Sequence, residues 1–479
     1  MADYGERPHI VFITTDQQRG DCTGIDGHPI LETPHLDQLA NEGVYFSRAY
    51  SPCPVCVPAR MVMMTGRSPF HTGYFTNSSK ALDTTDTLPG ILGRLGYQTQ
   101  LIGKAHFSPQ RARLGFDNTI INESGRYREG DDYHRWLQKT SCAGLERATS
   151  IGNNDVFSRR SVVPETHHVN TWTANECIEF LDRRDPTCPF FLWMSFSRPH
   201  SQYDPPAPYD TWYDPEAVPP PIPAPGNDFL PPELQEAPLR YDWDRMSPGR
   251  IARARRHYLG QITHIDHQIG RFFAALRWKG LWDVTLVIFT SDHGDMMGDF
   301  GLFFKSHFFE GSGRVPLILR PPRNWEGTNP ARRYEKPVSL VDILPTFVSS
   351  AGGRVPGEAD GVSLLPALEG GDPVGDRIFH GEIGAEARRH HCLTDGRYKY
   401  MWFRLGGREY LFDLEADPNE VNNLAGDEAR VSIWRNRLIE LLRARGDSAV
   451  RDGALVHTPY LPADEAELRA MDPFGRRPY

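Results

Sequence analysis

The sequence lacks the features that place a protein in a membrane or on a nucleic acid. Its 479 residues contain no stretch of about eighteen consecutive apolar residues, so we expect no transmembrane helix. The net charge is −9 with both signs mixed along the chain, which provides no basic surface for nucleic acid. Residues 1–8 contain no apolar segment of the signal-peptide kind. We therefore expect a cytoplasmic protein with no membrane and no nucleic-acid partner.

Cysteine is also scarce, which limits the chemistry that thiols can supply. The seven cysteines are scattered and odd in number, so a disulfide framework is not expected. Cys53 and Cys56 lie close together, but no second pair is present to complete a zinc site. The Gly-x-Ser-x-Gly and His-Glu-x-x-His motifs are both absent. A redox pair formed by Cys53 and Cys56 therefore stays open beside a role for Cys56 as a nucleophile.

Hydrophobic patterning predicts an α/β fold. Short runs rich in β-branched and aromatic residues alternate with segments whose apolar residues recur every three or four positions. The first pattern is typical of strands buried in a parallel sheet, and the second of helices packed against it. We predict a mostly parallel sheet flanked by helices. The predicted strands are residues 9–15, 97–102, 189–196, 284–290 and 315–319, and the clearest predicted helices are residues 88–95, 171–181 and 251–276.

The pattern changes towards the C-terminus. Residues 397–403 and 409–414 flank a Gly-Gly pair and are typical of an antiparallel hairpin, and a helix is predicted at residues 433–442. We therefore expect a catalytic α/β domain, residues 1–375, and a smaller C-terminal α+β domain with an antiparallel sheet, residues 376–479.

Two segments have little regular pattern. Residues 108–170 are polar, which suggests insertions over the sheet. Residues 201–248 are rich in proline and too long for a passive connection, so we expect them to cover a binding site. The aromatic residues of these segments that could stack on a substrate ring, or equally serve in packing, are Trp136, Tyr203, Tyr209 and Trp212.

Polar residues follow four predicted strands, at the sheet edge where α/β proteins bind ligands. Any one group could be a plain turn, but all four meet at the same edge. Two carboxylates, an amide and an imidazole suit a hard divalent cation such as Ca²⁺, Mg²⁺ or Mn²⁺. The lysines and the other histidines favour an anionic substrate such as a tetrahedral oxyanion. The residues are Asp16, Gln17, Lys104, His106, His200, Asp292 and His293, with Lys305 in a later loop, where a solvated surface lysine is the alternative.

Cys56 heads an apolar segment, residues 56–65, that is predicted to be helical. A helix N-terminus favours anionic chemistry at this position. Arg60 falls about one helical turn later and can brace the same group. On these grounds a metal-assisted hydrolase of an anionic ester is favoured over a redox protein.

The motif Cys-Val-Pro-Ala-Arg at residues 56–60, continued by Thr-Gly-Arg at residues 65–67, resembles the Cys-x-Pro-x-Arg motif of the formylglycine-dependent sulfatases. These enzymes belong to the alkaline phosphatase superfamily, so the resemblance implies an alkaline-phosphatase-like fold. It covers nearly the whole chain, because the strand-end residues named above, residues 301–310 and residues 413–424 all follow the family order. The implied activity is hydrolysis of an organic sulfate monoester to an alcohol and inorganic sulfate.

The resemblance also implies a covalent modification of Cys56. A separate formylglycine-generating enzyme oxidises this residue to an aldehyde, which hydrates to a gem-diol. One hydroxyl attacks the sulfur in line with the leaving alcohol, and loss of a proton from the second hydroxyl then expels sulfate. By the same resemblance Arg60 steadies the modified residue and His106 accepts that proton. The implied metal ligands are Asp16, Gln17, Cys56, Asp292 and His293, and the implied sulfate-binding residues are Lys104, His200 and Lys305.

Two residues depart from the pattern of many sulfatases. Gln17 replaces an acidic residue and His293 replaces an asparagine, and both variants are similar to the related phosphonate monoester hydrolases. A phosphonate monoester or phosphodiester hydrolase with the same modified cysteine is therefore the alternative. Lys104 and His106, however, match the sulfatase pattern. Ca²⁺ is the expected cation, with Mn²⁺ or Mg²⁺ as alternatives.

Two further expectations concern residues outside these motifs. Asn77 is a candidate contact to the substrate anion, with a plain loop amide as the alternative. A homo-oligomer stays open, in which the aromatic and basic tail, residues 473–479, reaches a neighbouring subunit.

Overall fold

An eight-stranded sheet organises the chain. The computed structural model describes residues 7–82, 86–123, 129–149 and 151–470; the tail proposed as a subunit contact lies outside them. In chain order, the strands are β1 (His9–Asp16), β2 (Val44–Phe46), β3 (Gln98–Gly103), β4 (Asn118–Ile121), β5 (Phe190–Pro199), β6 (Thr285–Ser291), β7 (Leu317–Arg320) and β8 (Arg332–Tyr334). Their order across the sheet is β8-β2-β7-β6-β1-β5-β3-β4.

The central strands β6, β1, β5, β3 and β4 are all parallel, which confirms the predicted sheet type. Strand β7 is antiparallel to β6 and to β2. In the parallel part Thr15 pairs with Ser291, and Gly103 pairs with Ser195. The carboxyl ends of four strands therefore meet at one edge of the sheet, where the next residues along the chain are the predicted site residues.

Helices cover both faces of the sheet. Strand β1 contributes Ile10 and Phe12 to the core on one face, with α2, α3 and α6, and Val11 and Ile13 to the core on the other, with α1, α4 and α5. This burial on both faces explains its unbroken apolar sequence. The helices are α1 (Pro34–Asn41), α2 (Cys56–Thr65), α3 (Leu88–Arg94), α4 (Val169–Arg183), α5 (Pro248–Trp278), α6 (Ile343–Ser350) and α7 (Glu428–Ala444). Shorter helices span Pro69–Thr72, Asp132–Leu137, Pro232–Gln235, Ala237–Arg240, Glu310–Gly313 and Glu465–Ala470.

The C-terminal region contains a separate antiparallel sheet, as the sequence predicts. Its strands follow one another in space in chain order, and α7 packs on one face through Trp434 and Leu438 against Trp402 and Leu411. The strands are β9 (Phe379–Ile383), β10 (His390–Thr394), β11 (Tyr398–Phe403) and β12 (Glu409–Asp413). Two minor sheets pair Ala49–Tyr50 with Arg314–Val315 and Val338–Ser339, and Val450–Arg451 with Ala454–Leu455.

Two predictions about the sheet were wrong in detail. The expected single strand at residues 315–319 is two short strands in different sheets, because Pro316 has no N–H and interrupts the ladder. Residues 108–170 are not only an insertion over the sheet, since Asn118–Ile121 forms its edge strand β4. Among the helices that the structure describes, none is long and apolar enough to cross a membrane.

Candidate active site

Cys56 is the first residue of α2, and the surrounding fold fixes it there. All residues of α2 are buried, and Gly66 ends the helix in the left-handed conformation. The N-cap residue, Val55, makes no side-chain cap bond, but Asn77 Oδ1 accepts a hydrogen bond of 3.1 Å from Val57 N. Asn77 therefore caps the helix from a neighbouring loop.

Arg60 lies one turn after Cys56 and is completely buried. Its guanidinium donates to the carbonyl oxygen of Lys104 at 2.8 Å and to Ser195 Oγ at 3.0 Å. Its Nε lies 3.3 Å from Asp292 Oδ2. Arg60 thus links α2 to the ends of three strands and compensates one charge of the site.

Four potential ligand side chains converge beside the start of α2. Atoms of Asp16, Cys56, Asp292 and His293 all lie within 4.8 Å of one another, and all four residues are buried. Cys56 Sγ is 3.2 Å from His293 Nε2 and 3.6 Å from Asp16 Oδ1. His293 Nε2 is 3.6 Å from Asp292 Oδ1. Gln17 joins this cluster through its backbone N–H, which donates to Asp292 Oδ1 at 3.1 Å.

The protonation states of the cluster suit a divalent cation. Burial alone would raise the pKa of Asp292, but His293, Arg60 and Lys104 hold that pKa below its ordinary value. Burial lowers the pKa of His293 to about 3, against the opposing effect of Asp292, so the imidazole is neutral. Its Nδ1–H donates to the carbonyl oxygen of Gly294 at 2.9 Å, which leaves Nε2 as the free lone pair facing the cluster. Metal-ligating histidines have this arrangement.

The lysines of the site contact the same oxygens. Lys104 Nζ pairs with the Asp16 carboxylate, and Lys305 Nζ contacts Gln17 Oε1. These contacts indicate that the site attracts positive charge, and its oxygen-rich donor set fits a hard cation. Lys305 is therefore not the solvated surface lysine of the alternative interpretation.

His200 follows β5 and is buried beside these lysines. Burial, together with the charges of Lys305 and Lys104, lowers the pKa of His200 well below its ordinary value. Its Nδ1–H donates to the carbonyl oxygen of Ser201 at 2.7 Å, so Nε2 is the nitrogen available to a substrate. Lys104 and Lys305 therefore lie close enough to His200 for their charges to act on it, and the shared role of the three residues in sulfate binding stays a prediction.

A pocket of about 420 Å³ opens beside the start of α2. His106 lies on its wall, and its backbone N–H donates to Glu123 Oε1 at 2.9 Å. Asn77 lies on the same wall, where it caps α2. The residues that define the pocket include Val57, Asn77, His106, Phe107, Gln110 and Glu123.

The aromatic candidates of the irregular segments serve in packing. Tyr203 is fully buried and donates to Asp295 Oδ2 at 2.6 Å. Tyr209 and Trp212 stack on each other with ring centroids 5.3 Å apart, and Trp136 packs against Tyr133. The proline-rich segment packs against α5 and the C-terminal sheet, and none of the described pocket residues comes from it.

Three residues near the site were missed in the sequence. Ser195 bonds Arg60, Glu123 bonds the backbone of His106, and Asp295 bonds Gln17. Asp295 lies three residues after Asp292 in the sequence, but its contact with Gln17 depends on the three-dimensional fold. No sequence signal marks Ser195 or Glu123.

Cys53 is a buried residue that serves in packing. Its Sγ lies 3.6 Å from the carbonyl oxygen of Phe75, and burial raises the pKa of its thiol well above the ordinary value. All seven cysteines lie in the described part of the chain, and none of them forms a disulfide bond. The structure thus gives the redox pair no support.

Comparison with known proteins agrees with this site. The model of the sulfatase family matches residues 8–353, and a model described as the C-terminal region of N-sulphoglucosamine sulphohydrolase matches residues 298–446. An arylsulfatase of Clostridium perfringens is 35% identical, with 92% of this chain and 95% of the relative covered. A choline-sulfatase of Rhizobium meliloti is 29% identical, with 97% and 94% covered.

A similar solved structure is the phosphonate monoester hydrolase of Agrobacterium radiobacter. Its TM-score is 0.79 at 28% identity, and 92% of this chain and 96% of that chain are covered. The fold is thus the alkaline-phosphatase-like one, and the site is that of a hydrolase of anionic esters. The chain belongs to the sulfatase family. It is an enzyme that hydrolyses sulfate esters, which confirms the main functional prediction.

Proposed function

We propose that the protein hydrolyses an organic sulfate monoester at position 56, after a formylglycine-generating enzyme has oxidised Cys56 to formylglycine. The observation that carries this proposal is the placement of Cys56. It begins a helix, and its Sγ lies next to the Asp16 carboxylate and the His293 imidazole. The cationic groups of Lys104 and Arg60 pair with Asp16 and Asp292 of the same cluster. The hydrated aldehyde supplies one hydroxyl that attacks sulfur and a second through which sulfate is released.

The proposed cation site uses the buried cluster. Asp16, Gln17, Asp292 and His293 would hold one divalent cation beside position 56, with Ca²⁺ as the first choice and Mn²⁺ or Mg²⁺ as alternatives. When bound, the cation supplies positive charge that acidifies a hydroxyl and neutralises the sulfate. The oxygen-rich donor set and the neutral imidazole support this assignment.

The remaining polar residues bind and orient the substrate. Lys104, His200 and Lys305 hold the sulfate oxygens and stabilise the charge that develops on them. Arg60 holds the side chain at position 56 in place through its contacts to Asp292 and the Lys104 carbonyl. His106 accepts the proton of the second hydroxyl, and the pocket beside it receives the alcohol.

The names of the relatives indicate which sulfate esters should be tested to identify the alcohol that the enzyme releases. The relatives include an arylsulfatase, a choline-sulfatase and an N-acetylglucosamine-6-O-sulfatase of Bacteroides thetaiotaomicron. A panel of aryl, choline and amino-sugar sulfates therefore covers the relevant chemistry. The ester with the highest kcat/KM identifies the alcohol that the pocket fits.

Phosphonate monoester hydrolysis is the second candidate, because Gln17 and His293 follow the pattern of that enzyme class. The test compares kcat/KM for 4-nitrophenyl sulfate and for an aryl phosphonate monoester, with the full chain coexpressed with a formylglycine-generating enzyme. We expect the sulfate to be preferred. A large preference for the phosphonate would replace the proposed function by the second candidate.

A further inference from the structure

Unlike the carboxylates among the candidate ligands, Gln17 can bind a cation only if its side-chain amide has one particular orientation. A carboxylate can offer either oxygen to a cation, but an amide can bind only through its oxygen, since its NH₂ group is a donor. A 180° rotation of the amide would direct the NH₂ group at the cation and abolish the bond. The orientation of the Gln17 amide therefore decides whether this residue is a ligand.

The backbone of Gln17 is already fixed. Its φ is 74°, in the left-handed region that a residue with a side chain seldom adopts. Its N–H donates to Asp292 Oδ1 at 3.1 Å, and its carbonyl oxygen accepts from Tyr258 Oη at 2.7 Å. These contacts fix the backbone but not the rotation of the side-chain amide. A separate hydrogen-bond partner is needed to hold the amide in one orientation.

Asp295 supplies that partner. This completely buried carboxylate accepts from Gln17 Nε2 through Oδ2 at 2.5 Å. Tyr203 donates to the same oxygen, and the other oxygen, Oδ1, accepts from Met297 N at 2.9 Å and Phe304 N at 2.7 Å. A carboxylate is only an acceptor, so it can bind the NH₂ group of Gln17 but not its oxygen.

We propose that Asp295 is a positioning residue, which holds the Gln17 amide with its oxygen directed at the cation. The proposal rests on the assignment of Gln17 as a cation ligand in the proposed function. The opposite side of the amide agrees with it, because Gln17 Oε1 contacts the ammonium group of Lys305. Asp295 also bonds the N–H of Phe304, the residue before Lys305, and so ties the ligand to the loop that carries this lysine.

The direct test is the variant Asp295→Asn. In this variant the NH₂ group of the new amide side chain can occupy the position of Asp295 Oδ2. Two donor groups would then face each other, because the NH₂ group of Gln17 points at the same place. This repulsion favours the Gln17 amide rotated by 180°. Ca²⁺ binding to the full apo chain, measured by calorimetry, is expected to weaken by about 10–100-fold, the usual cost of losing a partner behind a metal ligand. Unchanged Ca²⁺ affinity would overturn the proposal.

A second substitution separates orientation from general structural damage. The carboxylate introduced by Gln17→Glu has no donor group, so the carboxylate of Asp295 repels it. In the double variant, the amide introduced by Asp295→Asn can instead donate a hydrogen bond to that new carboxylate. Asp295→Asn is therefore expected to weaken Ca²⁺ binding in the Gln17 background and to strengthen it in the Gln17→Glu background. An equal loss in both backgrounds would show a merely structural role and overturn the proposal.

Asp299→Asn is the matched control. Asp299 is a buried carboxylate four residues later that pairs with Arg19 and Arg255, and its described contacts do not include Gln17. We expect this variant to lose thermal stability and to keep its Ca²⁺ affinity. A loss of affinity equal to that of Asp295→Asn would count against the proposal.

The readout is independent of the substrate. If the wild-type enzyme prefers a phosphonate ester, the proposed function fails, yet the Ca²⁺ pattern of the variants still tests the role of Asp295. If Gln17→Ala binds Ca²⁺ as tightly as the wild type, Gln17 is not a ligand. The inference then fails while sulfate hydrolysis can still stand.

Discussion

Each charged residue of the site has a buried partner of opposite charge or a polar contact. Lys104 pairs with Asp16, Arg60 pairs with Asp292, and Lys305 contacts Gln17. Isolated charges in such a buried place would be strongly destabilising. A doubly charged cation and a sulfate ester add opposite charges to this cluster, so the site can bind both together without a large net charge.

The role of Lys104 can be tested by Lys104→Ala. The ammonium group is buried and pairs with Asp16, which lies beside Cys56, and we propose that it stabilises charge on the sulfate oxygens. We expect kcat/KM for 4-nitrophenyl sulfate to fall by about 10²–10³-fold. Ca²⁺ affinity should stay equal or increase, since a positive charge next to Asp16 is removed.

Lys336→Ala is the control for this substitution. Lys336 is an exposed lysine that pairs with Asp372, far from the described site contacts. Its removal should leave kcat/KM unchanged. Equal activities of the two variants would contradict the proposed role of Lys104.

At the scale of elements, the start of α2 depends on a cap from another part of the chain. Asn77 Oδ1 accepts the N–H of Val57, while the residue before the helix provides no side-chain cap. The sequence suggested a contact from Asn77 to the substrate anion. The structure gives its amide oxygen a bond to the helix, and the contact of its NH₂ group with the substrate anion stays a prediction.

Asn77→Ala distinguishes these two roles. Loss of the cap is expected to lower the free energy of unfolding by about 1 kcal/mol, measured by urea denaturation. Asn77→Asp keeps an acceptor oxygen and should retain most of this stability. An increase in KM for Asn77→Ala without any loss of stability would contradict the capping role and favour the substrate contact.

The first turn of α1 is capped by Asp266 of α5. Its carboxylate accepts from Leu36 N at 2.8 Å and from His35 N at 3.2 Å. Burial raises the pKa of Asp266 from 3.8 to about 8, although both bonds oppose this change. The folded state therefore keeps a proton that the unfolded chain releases.

This pKa predicts how stability depends on pH. Because the folded pKa is raised, the contribution of Asp266 to stability is greatest below pH 3.8 and is lost as the pH rises to about 8. The free energy of unfolding should decrease between pH 6 and pH 8 in the wild type and decrease less in Asp266→Asn. Urea denaturation at both pH values measures the difference, and parallel decreases would contradict the assignment.

Particular elements show what could be predicted from sequence. The buried strands and α5 have strong apolar periodicity, and the site residues directly follow the strands, so both were predictable. Strand β4 was not, because Asn118–Ile121 is short and half polar, and it is recognised as a strand only from its pairing with β3. The role of Asp295 could not be predicted, because the orientation of an amide depends on contacts across the fold.

At the scale of the whole molecule, the C-terminal sheet supports the site. Phe309, in the loop that follows Lys305, packs against Tyr410 and Phe412 of β12, with ring centroids 5.8 and 6.3 Å away. Ser306 N donates to the carbonyl oxygen of Pro54, close to the start of α2, at 3.1 Å. The sheet therefore helps to hold Lys305 against the opposite wall of the site.

A buried ion cluster strengthens this connection. Lys399 of β11 donates to Glu310 Oε1 at 2.7 Å and to the carbonyl oxygen of Phe308 at 2.7 Å, and it forms an ion pair with Glu420, whose Oε1 is 2.5 Å away. Lys399 and Glu420 are almost completely buried. Removal of the lysine would leave the buried Glu420 carboxylate without its cationic partner, whereas Glu310 would keep its ion pair with Arg314.

Lys399→Met is therefore expected to lower the free energy of unfolding by about 3–5 kcal/mol, measured by urea denaturation. The double variant Lys399→Met/Glu420→Gln should recover part of this loss, because it also removes the carboxylate that lost its cationic partner. A single variant as stable as the wild type would contradict the importance of this connection.

The central claim is that position 56 acts as formylglycine and not as a thiol. The most direct measurement is the mass of the peptide that contains residue 56, determined for preparations of different specific activity towards 4-nitrophenyl sulfate. We expect a peptide whose mass is lower than that of the thiol form by the difference between a cysteine and a formylglycine residue, and an activity proportional to the aldehyde fraction. Full sulfatase activity in a preparation whose Cys56 is entirely an unmodified thiol would contradict it.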